Sequence, residues 1–393
     1  MRKIELYDAL VILFTIYLFS TFFYKLIPTL NSILGILFIL IVICIYFKNL
    51  KKKDIFIIFP ITYYVLISII KGDDINYFLE HTIHLISTIL FIWKLTSPDI
   101  TQKIYTSLIK YKRLISSSIV LIAAINIILL IGNSHNIINT GTTVFSGLSN
   151  GSHTIASISC FAIIMSIVLN KNTKMAKTSL LSIVAYILII IASGSRIYLI
   201  VLLAIFYCLY REKIKLIKHY RLYTIIIILV VALFTFNSSM FDRIVSTANN
   251  RYISSNKLEA FSSGRLIWWK YDLREYGEMS LSNKIFGSGN HIVFEINKHY
   301  YGMSIWAHND FIQILLSYGI VGLLFYMLSL LKAYNNIIDK KNKIYSLIIF
   351  LTIICIAAIN GFYTQQHMVF CILLMSILQN IKKNDDKAII KNK

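Results

Sequence analysis

The chain has 393 residues, of which 57% are hydrophobic and only 15% charged, with a formal net charge of +21; its mean hydropathy is +0.70. A soluble domain of this length carries far more charge, so composition excludes a water-soluble globular class. The basic excess would suit nucleic acid, but its distribution along the chain follows membrane topology instead, and no nucleic-acid partner is expected.

Met1-Arg2-Lys3 and the apolar stretch after it open like a signal peptide. No small-residue cleavage site follows, only Thr21-Phe22-Phe23-Tyr24-Lys25, so the stretch reads as an uncleaved first span. Apolar runs then predict about twelve spanning helices. They fall near 7–24, 30–47, 55–70, 78–95, 114–132, 153–170, 178–193, 196–210, 221–237, 308–331, 344–361 and 365–381. The runs are continuous, as in Ile119–Ile131 or Tyr223–Phe236, rather than alternating, so the backbone is satisfied as helix and not as a barrel. Only Pro28, Pro60 and Pro98 interrupt the chain, which suits long helices. Cys44, Cys160, Cys208, Cys355 and Cys371 all lie in apolar runs and read as small buried hydrophobes.

Alternate connections are basic. One set holds Arg2 and Lys3, Lys48 to Lys53, Lys94 to Arg113, Lys171 to Lys177, Arg211 to Arg221, Lys332 to Lys343 and the Lys-rich tail. The opposite short connections hold only Lys25, Lys71 and Arg196. The positive-inside rule puts both termini in the cytoplasm. The expected organisation is an N-terminal transmembrane bundle (1–237), one large extracytoplasmic loop (238–307), C-terminal transmembrane helices (308–381) and a cytoplasmic tail (382–393). A second outward segment, Gly132 to Ser152, is uncharged. A long outer loop in a compact helical protein is costly to order, which directs the search for function to the outer face.

Three features there carry chemistry. His308, in Trp306-Ala307-His308-Asn309-Asp310-Phe311, sits where the large loop re-enters the membrane, at a helix N-terminus that Asn309 or Asp310 caps. That position favours the neutral, basic imidazole; an interfacial histidine beside packing glycines, Gly319 and Gly322, is the plainer reading. Ser193-Gly194-Ser195-Arg196 makes a tight outward turn whose arginine is either an anion contact or a snorkelling residue. Phe261-Ser262-Ser263-Gly264-Arg265 opens an amphipathic interfacial helix with Trp268 and Trp269. Phe286-Gly287-Ser288-Gly289-Asn290 is a glycine-rich turn lacking the context of a nucleotide loop. His291, His299 and His308 lack zinc spacing, and no metal site is expected. Lys71-Gly72-Asp73-Asp74 reads as a solvated acidic turn, and His81 and His84 as core.

In this order and on one topological side, these motifs resemble the O-antigen polymerase and O-antigen ligase superfamily, with the resemblance covering about Ser193–Gly322. It implies a glycosyltransferase of the C type in a bacterial inner membrane, with its active site on the outer face. Substrates would be undecaprenyl-diphosphate-linked oligosaccharides, and neither metal nor cofactor is needed. His308 would be the general base, and Arg196 and Arg265 the diphosphate contacts. Asn309, Trp268 and Trp306 would touch substrate. Besides membrane lipids, a chain-length regulator is a conceivable partner. Polymerase, joining repeats into O-antigen or capsule, is the favoured activity. A ligase acting on lipid A–core is the alternative, and a flippase for the same lipid is the competing class, though one that predicts short outer loops and internal repeats.

Overall fold

The computed structural model describes residues 5–132, 136–139, 142–170, 177–195, 197–204, 206, 265–337, 343–364 and 369–377. Among the described residues the fold is helical apart from one hairpin. In chain order the helices are α1 (Leu6–Phe22), α2 (Pro28–Lys48), α3 (Ile58–Ile70), α4 (Ile75–Leu95), α5 (Pro98–Lys110), α6 (Lys112–Ile131), α7 (Ser152–Leu169), α8 (Lys177–Ala192) and α9 (197–204). Past residue 264 come α10 (Arg265–Glu278), α11 (Leu281–Phe286) and α12 (His291–Tyr301), all within the segment expected as the large loop, and then α13 (Asp310–Ile337), α14 (Lys343–Ile359) and α15 (369–377). Between α6 and α7, β1 (Asn136–Asn139) and β2 (Thr142–Phe145) pair antiparallel, with Asn136 opposite Phe145. This hairpin stands in the uncharged segment between the two helices.

Among the described residues, five helices are long and apolar enough to cross a membrane: α2, α4, α6, α7 and the Asp310–Asn336 part of α13. Shorter apolar helices accompany them, including α1 and α8. The protein is therefore a polytopic helical membrane protein. The span expected at 221–237 and the loop residues before Arg265 lie outside the described residues.

Helix α7 is the centre. Ile155, Ala156, Ile158, Cys160, Ala162, Ile163 and Ile164 are all fully buried, and its serines and alanines let neighbours approach closely. Five elements meet around Phe370 of α15, whose ring centroid lies 4.5 Å from Phe14, 4.7 Å from Phe38, 5.6 Å from Phe91 and 5.8 Å from Phe161. By contrast, α2 turns Leu30, Ile33, Ile36 and Leu40 outward, as a lipid-facing helix does. Cys44 and Cys355 are also outward; of the described cysteines only Cys160 and Cys371 are buried as expected.

Alternate connections segregate to opposite ends. At one end Lys94 meets Asp54 at 2.5 Å with both side chains buried, Lys110 pairs with Asp8, and Lys51 lies 3.2 Å from Asp99. Each of these lysines, all from the basic set of connections, faces a carboxylate. At the other end Lys25 Nζ donates to Ser146 Oγ at 2.9 Å, and Lys71 Nζ donates to Asn283 Oδ1 at 2.8 Å. Helix α5, absent from the expected spans, is amphipathic: Ile100, Ile104 and Leu108 face inward at helical spacing.

Helix α13 is interrupted. Gly319 takes φ 67° and ψ −170°, outside the helical region. The carbonyls of Leu316 and Ser317 accept hydrogen bonds from the N–H groups of Ser288 (3.0 Å) and Gly289 (2.9 Å). The Gly287-Ser288-Gly289 turn is thus sutured to the break. A Cβ at Gly319 would stand 2.3 Å from Ile285 O, and one at Gly287 would stand 2.2 Å from Ser317 O. The expected close approach of another helix is found, at the end of α11 and the turn after it, whose backbone comes too near Gly319 for any side chain; Gly319 in addition bends α13.

The Lys71–Asp74 turn also departs from expectation. Asp73 is not solvated; its side chain is fully buried. It accepts from Ser68 Oγ at 2.5 Å, Asn290 N at 2.7 Å, Asn290 Nδ2 at 2.8 Å and His291 N at 3.2 Å, with His291 Nδ1 at 3.0 Å. Its carboxylate therefore caps the start of α12, and both oxygens are committed to donors rather than open to a cation.

Candidate active site

Asn309 is the N-cap of α13. Its Oδ1 accepts from Phe311 N at 2.9 Å and Ile312 N at 3.2 Å. The cap leaves His308 just outside the helix at φ 53°, the one non-glycine residue with positive φ among those described. This conformation is costly for a residue with a Cβ, about 1–3 kcal/mol, and persists where surroundings over-determine it. Here two tryptophans do so, with ring centroids 4.5 Å (Trp306) and 5.8 Å (Trp268) from the imidazole. His308 Nδ1 is buried with no hydrogen-bond partner among the described residues.

Trp306 is itself located by Gly361, where a Cβ would come within 2.2 Å of the indole. Gly361 has φ 76° and lies just past α14. The segment after it is pinned by Asp310, whose Oδ2 accepts from Tyr326 Oη at 2.6 Å, Phe362 N at 2.7 Å and Tyr363 N at 3.1 Å. Trp269 Nε1 donates to Ala307 O at 2.7 Å, tying α10 to the same turn.

Arg265 opens α10, as expected. Its guanidinium donates to Ile359 O and, at 3.4 Å, to Asn360 Oδ1. Asn360 Nδ2 in turn donates to Tyr198 Oη of α9 at 3.1 Å. One turn earlier, Ser195 Oγ lies 3.3 Å from Nδ1 of His153, at the start of α7. Arg196 lies outside the described residues, but Ser193 and Ser195 beside it are fully buried in this cluster. His308, Arg265, His153, Asn360 and Tyr198 thus converge from five helix ends.

Electrostatically the cluster is positive. Burial, then the charges of Arg265 and His153, hold the His308 imidazole down to about 3. The neutral form was expected, but from the helix N-terminus; desolvation and neighbouring cations are the causes found. The arrangement offers an unprotonated nitrogen base beside a guanidinium, which suits proton removal next to an anion.

Of the sequence candidates, the structure brings His308, Arg265, Trp268 and Trp306 together and gives Asn309 the role of cap. His81 is core as expected, buried with Nδ1 3.0 Å from Tyr363 Oη. His153, Tyr198, Asn360 and Gly361 were missed. A signal for His153 existed, since Gly151-Ser152-His153 leads from a polar connection into an apolar helix just as His308 does.

A family model described as O-antigen ligase matches residues 181–327. Over this stretch, a little over a third of its length, the chain is similar to that family. The stretch runs from within α8 into α13 and contains Ser193 to Arg196, Arg265, Trp306 and His308. His153, Asn360 and Gly361 lie outside the matched stretch and reach the site only through folding. No curated protein matches the chain.

Proposed function

We propose that the chain is a polysaccharide polymerase. It would join undecaprenyl-diphosphate-linked oligosaccharides into O-antigen or capsule on the outer face of a bacterial cytoplasmic membrane, with both termini inside. The observation that carries this reading is His308, a neutral imidazole fixed in a left-handed turn beside Arg265. A sugar hydroxyl of the acceptor gives its proton to His308 and attacks the anomeric carbon of the donor. The bond from that carbon to the diphosphate oxygen breaks, inverting the centre, and the electron pair leaves with undecaprenyl diphosphate. His308 then releases its proton to water. Arg265, with Arg196, holds the diphosphate and offsets its growing charge. An imidazole held near 3 is a weak base, and the bound dianion corrects this: its negative charge raises the value towards the working pH. Trp268 and Trp306 provide faces for sugar rings.

The description of the matched family favours a second reading, transfer of a finished chain to lipid A–core. One experiment separates the two and tests the site. A deletion strain is complemented with wild type or His308→Ala, membrane expression is checked, and surface polysaccharide is run on a gel. Single repeats on lipid A–core after deletion, with no long chains restored by the variant, support the polymerase. Bare lipid A–core with long chains accumulating on undecaprenyl diphosphate supports the ligase. Full restoration by His308→Ala removes the base assignment and returns a flippase to consideration.

A further inference from the structure

We propose that His153 is a second histidine of the reacting centre, donating a hydrogen bond to the diphosphate as it leaves. The inference rests on the glycosyl-transfer reading above and adds a residue to it. His153 stands at the start of α7, in the helix's first turn, whose N-cap residue Gly151 offers no side-chain cap. Its Nδ1 lies 3.3 Å from Ser195 Oγ, so it is joined to the turn that leads into Arg196. Its ring centroid is 6.3 Å from Tyr198, whose hydroxyl accepts from Asn360, which in turn accepts from Arg265. It is also close enough to His308 for its charge to oppose protonation there.

A guanidinium and an imidazole N–H set at one half-buried site favour an anion there. A diphosphate is such an anion, and the geometry divides the labour. His308 faces the acceptor hydroxyl; Arg265 and His153 face the departing oxygens. The proposal requires the tautomer in which Ser195 Oγ donates to Nδ1 and the imidazole proton of His153 sits on Nε2, the nitrogen remote from the serine. In the step itself no further proton moves. The acceptor proton goes to His308, the carbon–oxygen bond breaks, and the Nε2–H of His153 strengthens its hydrogen bond as charge builds on the leaving oxygen.

The test uses full-length protein in proteoliposomes, with lipid-linked repeats extracted from the deletion strain as substrate. Variants are His153→Ala, His153→Phe, which keeps a ring beside Tyr198 but no nitrogen, and His153→Gln, which keeps a neutral donor. Binding of undecaprenyl diphosphate, the leaving product, is measured alongside turnover. The expected result is a kcat lowered about 10²-fold in the Ala and Phe variants, with affinity for undecaprenyl diphosphate weakened about tenfold and partial recovery in the Gln variant. Unchanged thermal unfolding marks the loss as chemical. Should His153→Ala be absent from membranes, the Phe and Gln variants decide. Turnover and undecaprenyl diphosphate binding within twofold of wild type in His153→Phe overturn the role of His153 alone. Wild-type protein that neither extends lipid-linked repeats nor binds undecaprenyl diphosphate overturns the glycosyl-transfer reading instead.

Discussion

At the scale of the residue, two buried ionisable groups outside the spans make opposite predictions. His308 is held down to about 3, chiefly by desolvation. The free protein therefore keeps its base unprotonated well into acid, and kcat/KM should show no acid limb from His308 above about pH 4. Anionic substrate raises that value, so the acid limb of kcat should lie at higher pH than that of kcat/KM. Coincident limbs near pH 6.5 would count against His308 as the base. Asp272, on α10, has both carboxylate oxygens buried without a partner among the described residues, and burial pushes its carboxyl up to about 7. Its folded-state value exceeds the ordinary value of about 3.9, so the folded chain keeps a proton that the unfolded chain has released between about pH 4 and 7. Stability from this position is greatest below that window, falls as pH rises through it and levels off above. Asp272→Asn should leave unfolding near pH 4 almost unchanged and stabilise by roughly 1–3 kcal/mol near pH 8. Detergent-solubilised unfolding at the two pH values checks this, and an equal shift at both would refute it.

At the scale of the element, the break in α13 fixes where its first turns point. Gly319 and Gly287 meet backbone to backbone, and each has positive φ. Gly319→Ala must therefore strain φ and also push Ile285 O away. The expected cost is about 2 kcal/mol or more, with α11 displaced and the start of α13 rotated. Activity should fall in proportion more than stability, because the same half-helix carries Asn309 and hence His308. Recovery of folded protein together with lipid-linked transfer rate measures both. A Gly319→Ala protein of normal stability and normal rate would show that the suture is dispensable.

Across the whole molecule, two polar clusters at opposite ends bracket an apolar middle. Lys94 and Asp54 meet at 2.5 Å with side chains nearly excluded from solvent. Removing one partner strands a charge. Lys94→Met should cost about 3–5 kcal/mol, and Lys94→Met with Asp54→Leu should recover most of it. Thermal unfolding of the single and double variants decides; a single variant as stable as wild type would mean that the pair contributes nothing. At the opposite end lies the cluster around His308, so a loss of stability at the first end should lower yield without altering the kinetics of protein that does fold.

Hydrophobic patterning alone was enough to establish a polytopic helical protein, because in a bilayer every backbone group must be satisfied within its own helix. Alternation of charge separated the two sets of connections, and the structure shows each set meeting its own members. His308, Arg265 and the Gly-Ser-Gly turn were legible as candidates because polar and glycine-rich loop residues stand out against an apolar background. Amphipathic α5 was missed because its polar face hides it from a hydropathy scan. The buried Asp73 looked like a solvated turn because its five donors come largely from residues more than 200 positions away. For the same reason His153, Asn360 and Gly361 could not be joined to His308 in advance: each is unremarkable in its own segment. Chain order and polarity decide which side a residue faces and that it is helical; which residues touch across five helix ends depends on packing, where a glycine, a tryptophan and an aspartate fit only in one arrangement.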